Sequence, residues 1–134
     1  MTAQNPERKI GDPAMNPGDE PYFAAAKEGR LLIKRCNSCG QPHHYPRQLC
    51  PFCWSSDVVW SDASGDGEIY TYSVTRRGAG APYCIAYVAL DEGPVVMTNI
   101  VDVDLDTVKI GQRVKAVFKT SANGTSIPMF TPSS

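Results

Sequence analysis

Long apolar runs are missing from this chain of 134 residues. None approaches the roughly eighteen residues that a membrane-spanning helix needs, so no such helix is expected. Charge of one sign is missing too: 13 Lys and Arg stand against 14 Asp and Glu, giving a formal net charge of −1 and an isoelectric point near 6.1. Proteins that grip nucleic acid usually carry a basic excess, and this chain offers none. The opening MTAQNPERKIGDPAMNPGDE lacks the apolar core of an export signal, which points to the cytoplasm, where cysteines stay reduced. Catalytic motifs are equally scarce. There are two histidines and no G-x-S-x-G elbow, P-loop or H-E-x-x-H, which leaves little from which to assemble a reaction. A chain of this length buries roughly two-thirds of its unfolded surface, so it does not need disulfides to be stable.

What is present is concentrated. Four of the five cysteines lie in RCNSCGQPHHYPRQLCPFCW, spaced as Cys36-x2-Cys39, ten residues, then Cys50-x2-Cys53. Each pair folds its sulfurs toward one point, and two pairs complete a tetrahedron at about 2.3 Å per Zn–S bond. Four sulfurs in this pattern have few other uses in a reducing compartment, so Cys36, Cys39, Cys50 and Cys53 are predicted to hold Zn²⁺, with iron in a rubredoxin-like site as the competitor. Four thiolates leave no position for water, so the metal is expected to hold a shape rather than do chemistry. Gly40 follows the first pair, where positive φ helps close the turn. Lys34, Arg35 and Arg47 are expected around the sulfurs, balancing part of their negative charge. His43 and His44 read as loop residues, since the tetrahedron is already complete. A thioredoxin-type redox role does not fit, because that C-x-x-C comes once and opens a helix.

Around this module the chain divides into three. Residues 1–18, with three prolines and two glycines, read as a flexible arm. Residues 19–60 hold a short helix and the cysteine module. Asp19 is placed to cap the helix, Pro21 suits its first turn, Tyr22, Phe23 and Ala26 share one face, and Gly29 ends it. RLLIKRC then reads as a strand. Residues 61–134 carry five further strands: Ile69–Thr75, Tyr83–Leu90, Val95–Val101, Val114–Lys119 and Ser126–Phe130, with turn signals between them. In the first, Tyr70, Tyr72 and Val74 should share one face, with Ile69, Thr71 and Ser73 on the other. Five short strands of this kind suggest a small sandwich or barrel. The remaining cysteine, Cys84, alternates with Ala86, Val88 and Leu90 and is predicted to be buried packing.

The four cysteines, Pro46-Arg47 between the pairs, Gly65 and Gly67, Pro82-Tyr83, Leu90-Asp91-Glu92-Gly93 and Ile110-Gly111 occur in an order that resembles a known family. This family comprises the acyl-CoA-associated OB-fold proteins with an N-terminal rubredoxin-like zinc ribbon. The resemblance covers about residues 21–132. It implies a mainly β fold: a short helix, a zinc ribbon and a five-stranded OB barrel. It also implies a non-catalytic accessory subunit of a thiolase, a thiolase-related aldolase or an acyltransferase. Such a subunit helps bind acyl-CoA, completes the partner's active site and works in a hetero-oligomer. Phosphates of CoA want guanidinium forks, lysines or free N–H groups. On this reading Arg76 and Arg77, which run into the glycine-rich GAGAP, and Lys34, Arg35 and Arg47 on the ribbon are the candidate contacts, with the crevice between ribbon and barrel as the preferred place. The alternative is a single-stranded nucleic-acid module stacking bases on Tyr70, Tyr72, Tyr83 and Tyr87, against which the charge balance argues.

Overall fold

In the computed structural model the described residues are 10–14, 16–44, 46–76 and 81–133. The helix expected after Asp19 is present as α1, Glu20–Lys27. Asp19 holds the N-cap position, but its carboxylate accepts from the Asn16 amide (3.1 Å) rather than from the helix's own N–H groups. At the other end the Gly29 and Arg30 amides bond back to the Ala26 and Ala25 carbonyls, a Schellman closure. Eight residues are too few to persist as a helix in water, so docking must supply the stability. Ala25 and Ala26 are buried, Tyr22 packs against the main core, and the helix lies against β1 and β8, defined below.

The ribbon is a three-stranded antiparallel sheet with β1 (Leu31–Cys36) in the middle, β2 (Pro42–His43) on one side and β3 (Val58–Ala63) on the other. β1 matches the predicted strand. The other two escape sequence reading: β2 is only two residues long, and the apolar and polar residues of β3 do not alternate.

Five strands follow: β4 (Asp66–Thr75), β5 (Tyr83–Leu90), β6 (Val95–Ile100), β7 (Arg113–Thr120) and β8 (Ser126–Pro132). They close in the order β4-β5-β6-β8-β7, with β7 returning to β4, the connectivity of an OB barrel. A 3₁₀ turn, Leu105–Thr107, links β6 to β7 and is capped by the Asp104 carboxylate, which accepts from the Asp106 amide (3.0 Å).

β5 alternates as predicted, with Cys84, Ala86, Val88 and Leu90 all turned inward and buried. β4 does not alternate strictly. Ile69 faces Val88, one residue is then inserted, and Thr71 faces Tyr87, so Tyr70 is the extra residue of a bulge. The insertion brings Ile69 to the same side as Tyr72 and Val74, opposite the expectation, and leaves Tyr70 65% exposed. Just before the bulge, a Cβ on Gly67 would lie 2.7 Å from the Ala89 carbonyl oxygen, so only glycine allows the two strands to approach this closely. Leu31 and Ile33 of the ribbon join Ile69, Val88, Val114 and Phe130 in one apolar cluster. Ribbon and barrel therefore share a core. No helix among the described residues is long and apolar enough to cross a membrane.

Candidate metal centre

The two cysteine pairs sit on turns of one design. In the first, the Gly40 amide donates to the Cys36 carbonyl (2.9 Å) and the Cys36 amide to Gln41 (3.0 Å). In the second, Trp54 donates to Cys50 (2.9 Å) and Cys50 to Ser55 (2.8 Å). The turns aim backbone N–H groups at the sulfurs: Ser38 and Cys39 at Cys36 Sγ (3.3 and 3.4 Å), and Phe52 at Cys50 Sγ (3.4 Å). Such donors favour the thiolate. Gly40 takes φ of 78°, as its place in the sequence predicts.

All four sulfurs lie within 4.8 Å of one another, with Cys36–Cys53 at 3.5 Å and Cys39–Cys50 at 3.7 Å. A tetrahedral zinc with thiolates at about 2.3 Å needs sulfurs roughly 3.8 Å apart, so the cage is close to the required size. Cys36 and Cys50 are buried, Cys39 and Cys53 exposed. The Cys39 amide, above all, lowers the Cys36 pKa to about 6. At Cys53 the Ser55 amide pulls the other way from the Cys36 sulfur, burial and the remaining sulfurs, which together push the thiol up to about 12. Four thiolates held this close together concentrate negative charge. A divalent cation at their centre supplies the missing charge, and a soft four-sulfur set with no open position suits a structural zinc.

The basic residues singled out in the sequence do not form one group. Lys34 is 7% exposed, with its ammonium 4.5 Å from the centre of the Trp60 ring and His43 beside it across the sheet. Among the described residues no carboxylate pairs with it. Arg47 is exposed; together with Lys34, and after burial itself, its charge holds the His43 pKa below the usual value. Arg35 donates to the Gly40 carbonyl (3.0 Å) and so belongs to the first turn. Arg76 closes β4 and is ion-paired with Asp106. Arg77 lies outside the described residues. The ribbon–barrel crevice, about 340 Å³, is lined by Arg30, Asp62, Ser64, Asp66, Lys115 and Phe118 among others, and by none of the basic residues predicted for it. Its Arg30 is already engaged by Glu28 (2.9 Å) and Asp62 (2.8 Å).

The loop reading of the two histidines holds for His44, which lies in a bend just after β2, but not for His43. His43 is in β2, 4% exposed, and neither ring nitrogen has a hydrogen-bond partner among the described residues. His44 Nε2 lies 3.2 Å from the Tyr22 hydroxyl, and burial, then His43, brings its pKa down to about 4. Neither joins the sulfur cluster. Cys84 is fully buried in the barrel core, with its thiol pushed up by burial, as a packing residue should be. Sequence reading missed the pairing of Lys34 with Trp60, which depends on the register of β3. It also missed Trp54, which stands where the first pair has Gly40; setting CNSCG beside CPFCW would have exposed the mismatch.

Two family models match in tandem: the rubredoxin-like zinc ribbon domain of ChsH2 over residues 23–59 and its C-terminal OB-fold domain over residues 60–119. A probable enoyl-CoA hydratase alpha subunit of Thermomonospora curvata is 34% identical over 136 aligned positions, which cover 98% of this chain but only 43% of that protein. This chain thus spans less than half the length of that relative. A DUF35 domain-containing scaffold protein of Methanocaldococcus jannaschii is 37% identical over 95 positions, 66% of this chain and 67% of the relative. Among solved structures, the Ltp2-ChsH2(DUF35) aldolase superposes with a TM-score of 0.81 at 34% identity, over 90% of this chain and 98% of that one. The ribbon that carries the cysteines and the barrel that shares its core are matched in the same order as in these relatives, and the chain belongs to the ChsH2/DUF35 family of zinc-ribbon and OB-fold proteins.

Proposed function

We propose that this protein is a non-catalytic accessory subunit of an acyl-CoA-handling complex built on a thiolase-like enzyme. In it, the barrel and ribbon help bind the acyl-CoA and complete the partner's active site. The observation that carries this reading is the likeness, over 98% of that chain's length, to the Ltp2-ChsH2(DUF35) aldolase, whose name couples two components, Ltp2 and ChsH2. The name of the Thermomonospora relative, an enoyl-CoA hydratase alpha subunit, adds both a CoA substrate and a subunit role. The residues agree with an accessory part. Thiolase chemistry needs a nucleophilic cysteine beside a base, and here Cys84 is sealed in the barrel while the other cysteines cluster as a metal site.

In this reading Cys36, Cys39, Cys50 and Cys53 hold the zinc, residues 19–60 form the ribbon half and 61–134 the barrel, and the complex works in the cytoplasm. For the CoA phosphates, Arg47 near His43 is the better placed of the candidate cations, being exposed, with the buried Lys34 adding its charge from behind. Two positive charges and an unsatisfied imidazole meet there, with no carboxylate among the described residues to answer them. Arg76 already has Asp106.

The test is affinity purification of the tagged protein from its host, with nuclease treatment, followed by mass spectrometry. A thiolase-like enzyme in near-stoichiometric amount is expected. Bait alone, or material that leaves with the nuclease, would overturn the proposal.

A further inference from the structure

The two metal-binding turns share one backbone hydrogen-bond scheme, yet one has a tryptophan where the other has a glycine. The residue after the second cysteine of each pair takes positive φ, 78° at Gly40 and 68° at Trp54. Glycine is free to do this, whereas a bulky side chain in the left-handed region crowds its own backbone. Among the described residues the other non-glycine with positive φ, Asp102, is of a type that tolerates it. The Trp54 side chain finds little packing in exchange, being 76% exposed. Beside it on the same turn are Phe52, 62% exposed, and Leu49, 45% exposed. A strained backbone that displays two large aromatic side chains to solvent is a feature of surfaces built to meet something else.

We infer that the second cysteine turn, led by Trp54 and Phe52, is the anchor with which this protein docks into an apolar socket, rimmed by basic side chains, on its thiolase-like partner; the inference rests on the accessory-subunit reading above. Tryptophan is favoured at interface hot spots because one rigid side chain fills a whole pocket. The rim follows from charge. Four thiolates on one divalent cation leave two net negative charges, Cys39 and Cys53 are exposed, and with Asp57, bonded to Asn37 (3.0 Å), they outweigh the guanidiniums of Arg35 on the first turn and of the exposed Arg47. That charge also decides between occupants. A two-fold interface between copies would bring two such centres together, since an isologous contact repeats the same patch on both sides. Anionic lipid headgroups would meet the same repulsion. A different protein with arginine or lysine around an apolar pocket meets none.

The experiment uses the zinc-loaded full chain and the recombinant thiolase-like enzyme recovered by the purification described above. Trp54→Gly relieves the backbone and removes the anchor together. It is expected to raise Tm by a few degrees while weakening binding to the enzyme by roughly 30-fold. Phe52→Ser and Trp54→Asn serve as second and third variants should the glycine variant lose zinc, and Tyr87→Thr on the barrel's outer face is the control. A loss of affinity of fivefold or more with zinc content intact supports the inference. Trp54 variants that bind within fivefold of the unmodified chain overturn it and leave the accessory-subunit reading standing. If the unmodified chain does not bind that enzyme at all, the accessory-subunit reading itself fails, and the inference with it. Binding to phosphatidylcholine–phosphatidylserine vesicles with a blue-shifted tryptophan emission, or a dimer in sedimentation that Trp54→Gly dissolves, would replace the proposed partner by a membrane or a second copy.

Discussion

From Leu31 to Ala63, apart from the cysteines, the buried apolar side chains among the described residues are Leu31, Leu32 and Ile33, all on one strand, and the same region buries Lys34 and His43. The barrel buries Ile69, Ala86, Val88, Leu90, Val96, Ile100, Val114 and Phe130 around a common centre. A sheet of three short strands with so little apolar surface cannot offset the entropy of ordering its own backbone. The barrel can. The difference teaches where each half gets its stability: the ribbon from four sulfurs and a cation, the barrel from area removed from water. The two are not independent, because Leu31 and Ile33 lie in the barrel's cluster.

The sharpest way to break this comparison is Cys36→Ser. It removes a fully buried corner of the sulfur cage, a ligand whose pKa is lowered to about 6. Structural zinc contributes on the order of 10 kcal/mol of apparent folding free energy in small domains, so the ribbon is expected to unfold and the protein to aggregate or lose zinc. Metal analysis together with amide-proton NMR reads the outcome. A zinc-free variant with an unchanged ribbon spectrum would show that apolar packing suffices there. Next in size is Ile69→Ala, fully buried where β4 crosses β5. Urea unfolding should show a loss of about 2–5 kcal/mol with one zinc still bound per chain. A loss of zinc at denaturant concentrations where the barrel signal persists would mean that the ribbon fails before the barrel does.

A pH titration sharpens the comparison from the ribbon side. His44 has a folded pKa of about 4 against an ordinary value of 6.5. Above the ordinary value the ring is neutral in both states and contributes no pH dependence. As pH falls from there toward 4, the unfolded chain takes up a proton that the folded chain refuses, so stability declines, by about 3 kcal/mol in all. Acid also strips zinc by protonating thiolates, which is why the informative quantity is the difference between the protein and His44→Gln. The variant should show the shallower slope over that interval. Equal slopes would mean that the imidazole is not held neutral by the fold.

What could be read from residues alone follows the same division. The cysteine spacing identified the cage because metal geometry imposes a local pattern, and Gly40 was legible for the same reason. β5 was legible because one face is buried and its alternation is strict. β4 was not, since a bulge at Tyr70 is a property of the pairing with β5 and leaves no mark in the strand's own sequence. The basic residues failed as a group for a related reason. Lys34 and Arg35 are neighbours in the chain but point to opposite faces of β1, one toward Trp60 and His43, the other to the Gly40 carbonyl. Whether a cation is free depends on carboxylates far away in sequence, as Asp106 shows for Arg76.

The smallest effect belongs to the exposed pair that ties the β5–β6 turn to β7. Arg113 makes a two-pronged contact with Asp91, at 2.9 and 2.8 Å, and its hydrogen bonds hold the Asp91 carboxyl below the usual carboxylate range. The pair is favourable only while Asp91 is ionised, so whatever it adds is present above the ordinary carboxylate pKa and fades as pH falls through the lowered one. Both side chains are about half exposed, where water and salt screen the attraction. Arg113→Ala should therefore leave Tm nearly unchanged at physiological salt and lower it slightly at low ionic strength. A large drop that ignores salt would place the contribution of Arg113 in the packing of its aliphatic stem on the barrel wall rather than in its charge.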